Sequence, residues 1–342
     1  MPEVAKPKLL VVELWGLGDL VLAIPFLQAA TQKYDVTLLA KPYGQTLRPQ
    51  FFPSAKAIGF IAPWTAFRHK YRLFSWPWPE LLDLRRLRKE SFGFGVSARW
   101  DPRDHFLLRL LCKGQRLGFP RRGSQVLLTH PLEMPEPPAH RYDYWRSLGR
   151  ALNLDLPSRK NIRMSPAATG NEIVVHTGGS QKTKIWPLDR YRNLVARLRG
   201  AGYQVRVVCD PNQADWWRSA GDAGIAVPGS VADLFATMQS AGAFIGNDSG
   251  PGHVAALIGV PTFTLFGSGL SEWFSPLHPD AQWLDGSPCR YKPCRDYCRF
   301  PVPNCLWDLD EQTVVSRVEQ FVAKHIAKPS AASSSCLRVG HS

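Results

Sequence analysis

Apolar positions along this chain come in short unbroken runs, each followed by a glycine-bearing turn and a helix-length segment. Residues 9–14 read LLVVEL, too short for a helix and too uniformly apolar for a strand with one wet face. That pattern predicts a strand buried on both sides. WGLG (15–18) then supplies a tight turn, and DLVLAIPFLQAATQKY has helical length and spacing. DVTLLA (35–40) and AIGFI (57–61) read as strands, ELLDLRRLRKE (80–90) as a helix, FGFGVS (92–97) as a strand and DHFLLRLL (104–111) as a helix. Such alternation predicts a parallel sheet with helices on both faces.

Two loop-like stretches follow, PLEMPEPPAH (131–140) and MSPAATGNE (164–172), and the second is the expected domain boundary. Beyond it the alternation restarts. EIVVHT (172–177) is a strand and LDRYRNLVARLRGAG (188–202) a helix with a glycine at its C-terminal end. QVRVVC (204–209) is a strand, a helix covers about 213–220, IAV (225–227) is a short strand and VADLFATMQSAG (231–242) a helix. AFIGND (243–248), a helix from SGPGHVAALIG, PTFTLFG (261–267) and an amphipathic closing helix TVVSRVEQFVAKHI (313–326) complete the second half. The expected division is 1–165, 166–327 and a polar, flexible tail, 328–342.

Composition adds to this picture. A length of 342 residues suits two domains, and 44% hydrophobic with 20% charged residues describes a globular protein. No run reaches about 18 uncharged apolar residues, so no membrane-spanning helix is expected. The opening apolar run is broken by Glu13 and Asp19 and lacks a small-residue cleavage site, so it does not read as a signal peptide. The net charge of +14 is lopsided: residues 1–160 hold 25 Lys and Arg against 13 Asp and Glu. A basic half implies an anionic partner, whether nucleic acid, a membrane surface or a phosphorylated or carboxylated substrate. RHKYR (68–72), RRLRK (85–89), Arg99 and Arg103 carry much of that charge, and WTAFRHKYRLFSWPWP (64–79) interleaves it with aromatics. Such a segment suits a headgroup layer or an inward-packed loop. Seven cysteines, an odd count with no secretion signal, point to a reducing cytoplasm.

Ligands of open α/β sheets bind at the carboxyl ends of strands. In the second half those ends read HTGGSQKTK, CDPNQ, GNDSGPGH and FGSG, rich in small residues, hydroxyls and a lysine. Glycines allow close backbone approach, and the helix after Asp248 turns its N-terminal amides outward, which is chemistry suited to phosphates. Asp19 occupies a strand-to-helix turn in the first half, where it can serve either as a helix cap or as a base. Cys289, Cys294, Cys298 and Cys305 cluster with spacing C-x4-C-x3-C-x6-C, which lacks the C-x2-C knuckles of common zinc sites. Packed thiols are the first reading there and a structural metal the second. DLD (308–310) reads as a cap for the last helix.

The segment GNDSGPGHVAALIGVPTFTLFG resembles the lipopolysaccharide heptosyltransferases, glycosyltransferase family 9, in its Asp248-Ser249-Gly250-Pro251-x-His253 element, its Gly259-x-Pro261-Thr262 and its Phe266-Gly267. Lys184-Ile185-Trp186-Pro187 is similar to the family's Lys-x-Trp-Pro, and Gly18-Asp19 with Pro25 to its N-terminal Gly-Asp element. Glu13 and Trp15 stand where relatives often carry a basic residue and a serine.

That resemblance implies an α/β protein of GT-B fold, two Rossmann-like parallel-sheet domains facing across a cleft. The first would take the acceptor and the second the nucleotide-sugar. It further implies inverting transfer of a sugar, typically heptose from ADP-heptose, to a lipopolysaccharide-core acceptor, with no required metal. Asp19 would be the base. Ser180, Lys184, Asp248, Ser249, Gly250, Pro251 and His253 would hold the donor, His253 either by contact or by packing beneath the loop, while Gly18, Glu13, Arg68 and Arg99 would line the acceptor side or cleft. Asp210 or Asp215, after the second strand of that half, is placed to meet ribose hydroxyls. A cytoplasmic enzyme, or one peripheral at the inner membrane, is expected. Glycosylation of a protein or another surface glycan keeps the same fold. A basic nucleic-acid-binding protein is the rival class, and it leaves the donor-like loops unexplained.

Overall fold

The computed structural model describes residues 5–65, 78–137, 139–294 and 297–327. The chain forms two compact units, Met1–Met164 with Glu272–Pro279, and Ser165–Ser271 with Asp280–Ser342. The tail, 328–342, lies outside the described residues, as does most of the aromatic and basic segment 64–79.

Each unit is a parallel sheet flanked by helices. In the first, β1 (Lys8–Glu13) leads through the glycine turn into α1 (Leu17–Lys33), then β2 (Asp35–Ala40), α2 (Tyr43–Phe51) and β3 (Lys56–Gly59). After α3 (Trp78–Lys89) come β4 (Phe92–Val96), α4 (Pro102–Leu111), β5 (Cys112–Gly118), the two-residue β6 (His130–Pro131) and α5 (Arg141–Ala151). The strand order is β3-β2-β1-β4-β5-β6, all parallel, with Glu13 opposite Ala40 at the carboxyl end. β1 is central, which is why Leu9 to Val12 are wholly inaccessible and the opening run reads as greasy throughout. Leu20–Leu27 of α1 are buried as well. Glu272–Pro279 joins this unit through His140, whose Nδ1 accepts from the Tyr142 amide while Nε2–H donates to the Ser275 carbonyl at 2.9 Å.

The second unit contains β7 (Glu172–His176), α6 (Leu188–Gly200), β8 (Val205–Val208), α7 (Ala214–Ser219), α8 (Val231–Met238), β9 (Ala241–Asn247), α9 (Gly250–Leu257) and β10 (Thr262–Phe266). The four-residue α10 (Ser271–Phe274) starts the excursion that belongs to the first unit, and β11 (Gln282–Asp285), the short α11 (Asn304–Trp307) and α12 (Glu311–His325) complete the second. The order is β11-β10-β9-β7-β8. The expected strand at 225–227 shrinks to one parallel bridge, Val208 to Ala226, placed beyond β8. α12 packs Val314, Val318, Phe321 and Val322 into the core that also holds Trp186, Tyr191 and Phe263. β5, α2 and β11 were not legible as elements: β5 (CKGQRLG) and α2, with Pro49 inside it, have little apolar periodicity, and β11 is an edge strand of four residues. Among the described residues no helix is long and apolar enough to cross a membrane.

Candidate functional site

In the first unit, carboxylates and cations gather at the carboxyl ends of β1, β2 and β4. Asp19 is in the first turn of α1; its Oδ2 accepts from the Gly16 amide at 3.0 Å and its Oδ1 lies 2.5 Å from Arg99 Nη2. The cap and the ion pair therefore use different oxygens of one carboxylate. Both partners are largely withdrawn from water, their side chains 15% and 17% exposed. Glu13, at the end of β1, accepts from the Trp15 amide at 3.2 Å. Burial first, and then the charge of Asp19, push the Glu13 carboxyl up to about 8. Burial and the neighbouring charge thus favour the protonated form of Glu13 at neutral pH. Gly18 sits in the same helical turn at intermediate exposure, and Arg68 lies outside the described residues.

Three further charged groups in this cluster were not singled out from the sequence. Asp104, in the first turn of α4, is wholly buried; burial raises its carboxyl to about 6, against the bonds donated by Trp15 and Trp64. Arg141, in the first turn of α5, packs over Trp100 at 4.4 Å and Tyr144 at 4.7 Å. Burial first and Arg99 second lower it to about 10, and its Nη1 has no hydrogen-bond partner among the described residues. Lys41 follows β2; burial lowers it, and its Nζ donates to the Thr65 carbonyl at 3.0 Å. All three belong to elements distant in sequence from residue 19, so no local pattern could have joined them.

In the second unit the candidate site stands on the strand ends and the loop after β7. Lys184 Nζ donates to Asp248 Oδ2 at 2.5 Å, and Asp248 is 5% exposed. Asp248 fits because residue 269 is glycine: a Cβ there would stand 2.3 Å from its Oδ2. Ser249 is the N-cap of α9, yet its hydroxyl caps nothing; it is buried with no hydrogen-bond partner among the described residues. Gly250 and Pro251 form the first turn of α9, whose leading amides have no partner within the helix. His253 is buried within α9, and Ser180 lies exposed on the loop.

The residue that ties this loop down is Asn247. Its Oδ1 accepts from the Trp186 amide at 3.1 Å and the Tyr191 hydroxyl at 2.9 Å, while its Nδ2 donates to the carbonyls of Thr177 and Gly178. It thereby fixes both ends of the segment carrying Lys184.

A cavity of about 270 Å³ opens beside this loop, lined by His176, Asp210, Ser230, Leu234 and Pro251. Asp210 accepts from the Gly179 amide at 2.8 Å and approaches His176 Nε2 at 3.9 Å. Burial holds His176 down to about 4, opposed by Asp210, so the imidazole is neutral. Asp215, the other aspartate considered for a ribose, is exposed and pairs with Arg218.

The cysteine cluster is a separate feature. Cys289, Cys294, Cys298 and Cys305 line a cavity of about 320 Å³ together with Tyr291 and Phe300. Among the described residues no three His, Cys, Asp or Glu side chains stand close enough to hold a metal ion. The Cys294 amide donates to the Ser268 carbonyl at 3.1 Å, so the segment braces the loop after β10. Asp310 caps α12, accepting from the Thr313 amide at 2.8 Å.

Residues 139–300 match the model of Glycosyltransferase family 9 (heptosyltransferase). Lipopolysaccharide heptosyltransferase 3 of Escherichia coli (strain K12) is 30% identical over 105 residues, which cover 28% of this chain and 30% of that protein's length. E. coli heptosyltransferase WaaC, solved with ADP, superposes with a TM-score of 0.70 at 17% identity, covering 92% of this chain and 99% of that one. WaaC was also solved with ADP-2-deoxy-2-fluoro heptose. The iron-containing dodecameric glycosyltransferase TibC, from enterotoxigenic E. coli, gives 0.55 at 14% identity over 94% and 77% of the two chains. These likenesses establish the two-sheet fold as GT-B.

Proposed function

We propose that this chain, whose residues 139–300 match the glycosyltransferase family 9 model, is an inverting glycosyltransferase using a nucleotide-diphosphate sugar, ADP-heptose, with a lipopolysaccharide-core or related anionic glycan as acceptor. The observation that carries this reading is the Lys184–Asp248 pair beside the open N-terminus of α9. A lysine, a buried uncommitted hydroxyl and free helix amides converge there, a donor set for a diphosphate.

An acceptor hydroxyl oxygen forms a bond to the anomeric carbon as the bond from that carbon to the diphosphate breaks on the opposite face. Asp19 takes the hydroxyl proton, and ADP departs with the electron pair. Lys184 and the α9 amides stabilise the charge that grows on the diphosphate. Protonated Glu13, buried beneath the turn, avoids a second negative charge beside the base. The cavity at His176 and Asp210 suits the nucleoside, with the Asp210 carboxylate accepting from ribose hydroxyls.

The positive charge of residues 1–160 suits an acidic glycolipid and an association with the cytoplasmic face of a membrane. The test is transfer from ADP-heptose to a heptose-deficient lipopolysaccharide core, followed by mass spectrometry. Tight ADP binding with transfer only to a protein acceptor would replace the acceptor and retain the donor.

A further inference from the structure

Asp104 is a buried carboxylate without a cationic partner at hydrogen-bonding distance among the described residues, and nothing in the chemistry above uses it. Helix capping does not account for it: Asp101 is the N-cap of α4, its Oδ1 accepting from the Arg103 amide at 2.9 Å. The Asp104 oxygens turn away from the helix. Oδ2 accepts from the Trp15 indole N–H at 3.0 Å and from the Ser97 hydroxyl at 3.5 Å, and Oδ1 from the Trp64 indole N–H at 3.4 Å.

Trp15 belongs to the turn between β1 and α1, four residues before Asp19. Its backbone is held on both sides, the amide by Glu13 and the carbonyl by the Tyr43 hydroxyl. Its ring lies under the guanidinium of Arg99 at 4.9 Å, with Arg103 at 5.9 Å. Arg99 in turn reaches Asp19. The contacts form one continuous path: α4 carboxylate, indole, guanidinium, α1 carboxylate.

The geometry points to Asp104 as a positioning residue: through the Trp15 indole it fixes the Arg99 guanidinium, and through Arg99 the orientation of the Asp19 carboxylate. This rests on the reading of Asp19 as the transferase base. An indole held by its N–H cannot rotate away, so the cation stacked on it keeps one position. A base displaced by a fraction of an ångström loses much of its rate advantage. The other charged groups facing Asp19 are Glu13 from β1, Lys41 after β2 and Arg141 from α5, the last beside Arg99. The Arg99 backbone is held separately, its carbonyl by His105 of α4 at 3.1 Å and its amide by the Ser97 hydroxyl at 3.2 Å, so the indole is the contact through which α4 reaches the guanidinium itself.

The test uses full-length protein as wild type, Asp104→Asn, Trp15→Phe and the double variant. Wild-type transfer from ADP-heptose is measured first, and it judges the enzymatic reading separately. Each single variant is expected to lower kcat about 10- to 50-fold, with the KM for the donor changed less than about two-fold. The double variant should be no slower than the slower single one, as for residues acting as a unit. A second measurement does not need turnover: the Arg99 Nε–H signal of 15N-labelled protein should shift in both variants. Trp15→Phe keeps a ring beneath Arg99 and carries the test alone if Asp104→Asn fails to fold. Unchanged kcat in folded variants, losses that multiply in the double variant, or an unmoved Arg99 signal would overturn the inference.

Discussion

Arg99 Nη2 stands 2.5 Å from Asp19 Oδ1, joining the loop after β4 to the first turn of α1. Arg99 also feels Glu13 and Asp104, and these carboxylates together hold the guanidinium above its ordinary range despite its burial. One cation therefore organises three acids, two of which are raised in pKa by burial.

Replacing the proposed base should separate chemistry from donor binding. Asp19→Asn is expected to lower kcat by about 10²- to 10⁴-fold, the usual span for a lost general base. ADP affinity by calorimetry should stay within about two-fold of wild type, because Asp19 belongs to the first unit and the donor set to the second. Near-normal turnover would remove Asp19 from the reaction.

Lys184→Ala should act on the other substrate. It removes the cation assigned to the diphosphate and leaves the buried Asp248 carboxylate uncompensated. ADP binding is expected to weaken at least about ten-fold and kcat to fall about 10²-fold, a typical cost for one stabilising donor. Equal ADP affinity in the two proteins would argue against the assigned donor site.

Asn247→Ala tests how the Lys184 loop is held. Four hydrogen bonds disappear, and the buried Trp186 amide loses its acceptor. A loss of about 3 kcal/mol is expected in urea unfolding, of the order set by orphaned buried polar groups. A loss below about 1 kcal/mol would mean that other contacts hold the loop.

Glu13 should leave a signature in the pH dependence of stability. Its folded pKa of about 8 lies above its ordinary value of 4.5, so the folded state holds the extra proton between those values. Its contribution is full below about pH 4.5 and is lost as pH rises through 8. Thermal unfolding of wild type and Glu13→Gln across pH 5 to 9 should therefore diverge, the variant losing less stability toward alkaline pH. Parallel curves would show that Glu13 titrates normally. His176 has the opposite sign: held neutral with a pKa of about 4, it stabilises above pH 6.5 and loses that contribution as pH falls through 4.

Both sheets were legible because buried parallel strands carry an unmistakable mark. LLVVEL, DVTLLA, EIVVHT and AFIGND are apolar on both faces, and no other soluble element of that length needs to be. The turn residues were equally plain, since Gly18 with Asp19 and Asp248 with Ser249 lie at strand-to-helix junctions that local composition reveals. Where apolar periodicity was weak, as in β5 and α2, the elements exist because their neighbours supply the burial.

Lys184 and Asp248 could each be named from a local motif, but their bond spans 64 residues and depends on the order in which β7 and β9 pair. Asp104 and Arg141 carried no local signal at all: an acid and a base in first helical turns look like ordinary helix ends. Strand identity follows from hydrophobic transfer, which acts residue by residue. Which charges meet, and whether burial or a partner decides their protonation, follows from the pairing of strands far apart in the chain. The strand-to-helix turn and the family resemblance therefore name Asp19, while the folded sheet alone determines that it pairs with Arg99 and that Trp15 and Asp104 stand behind that pair.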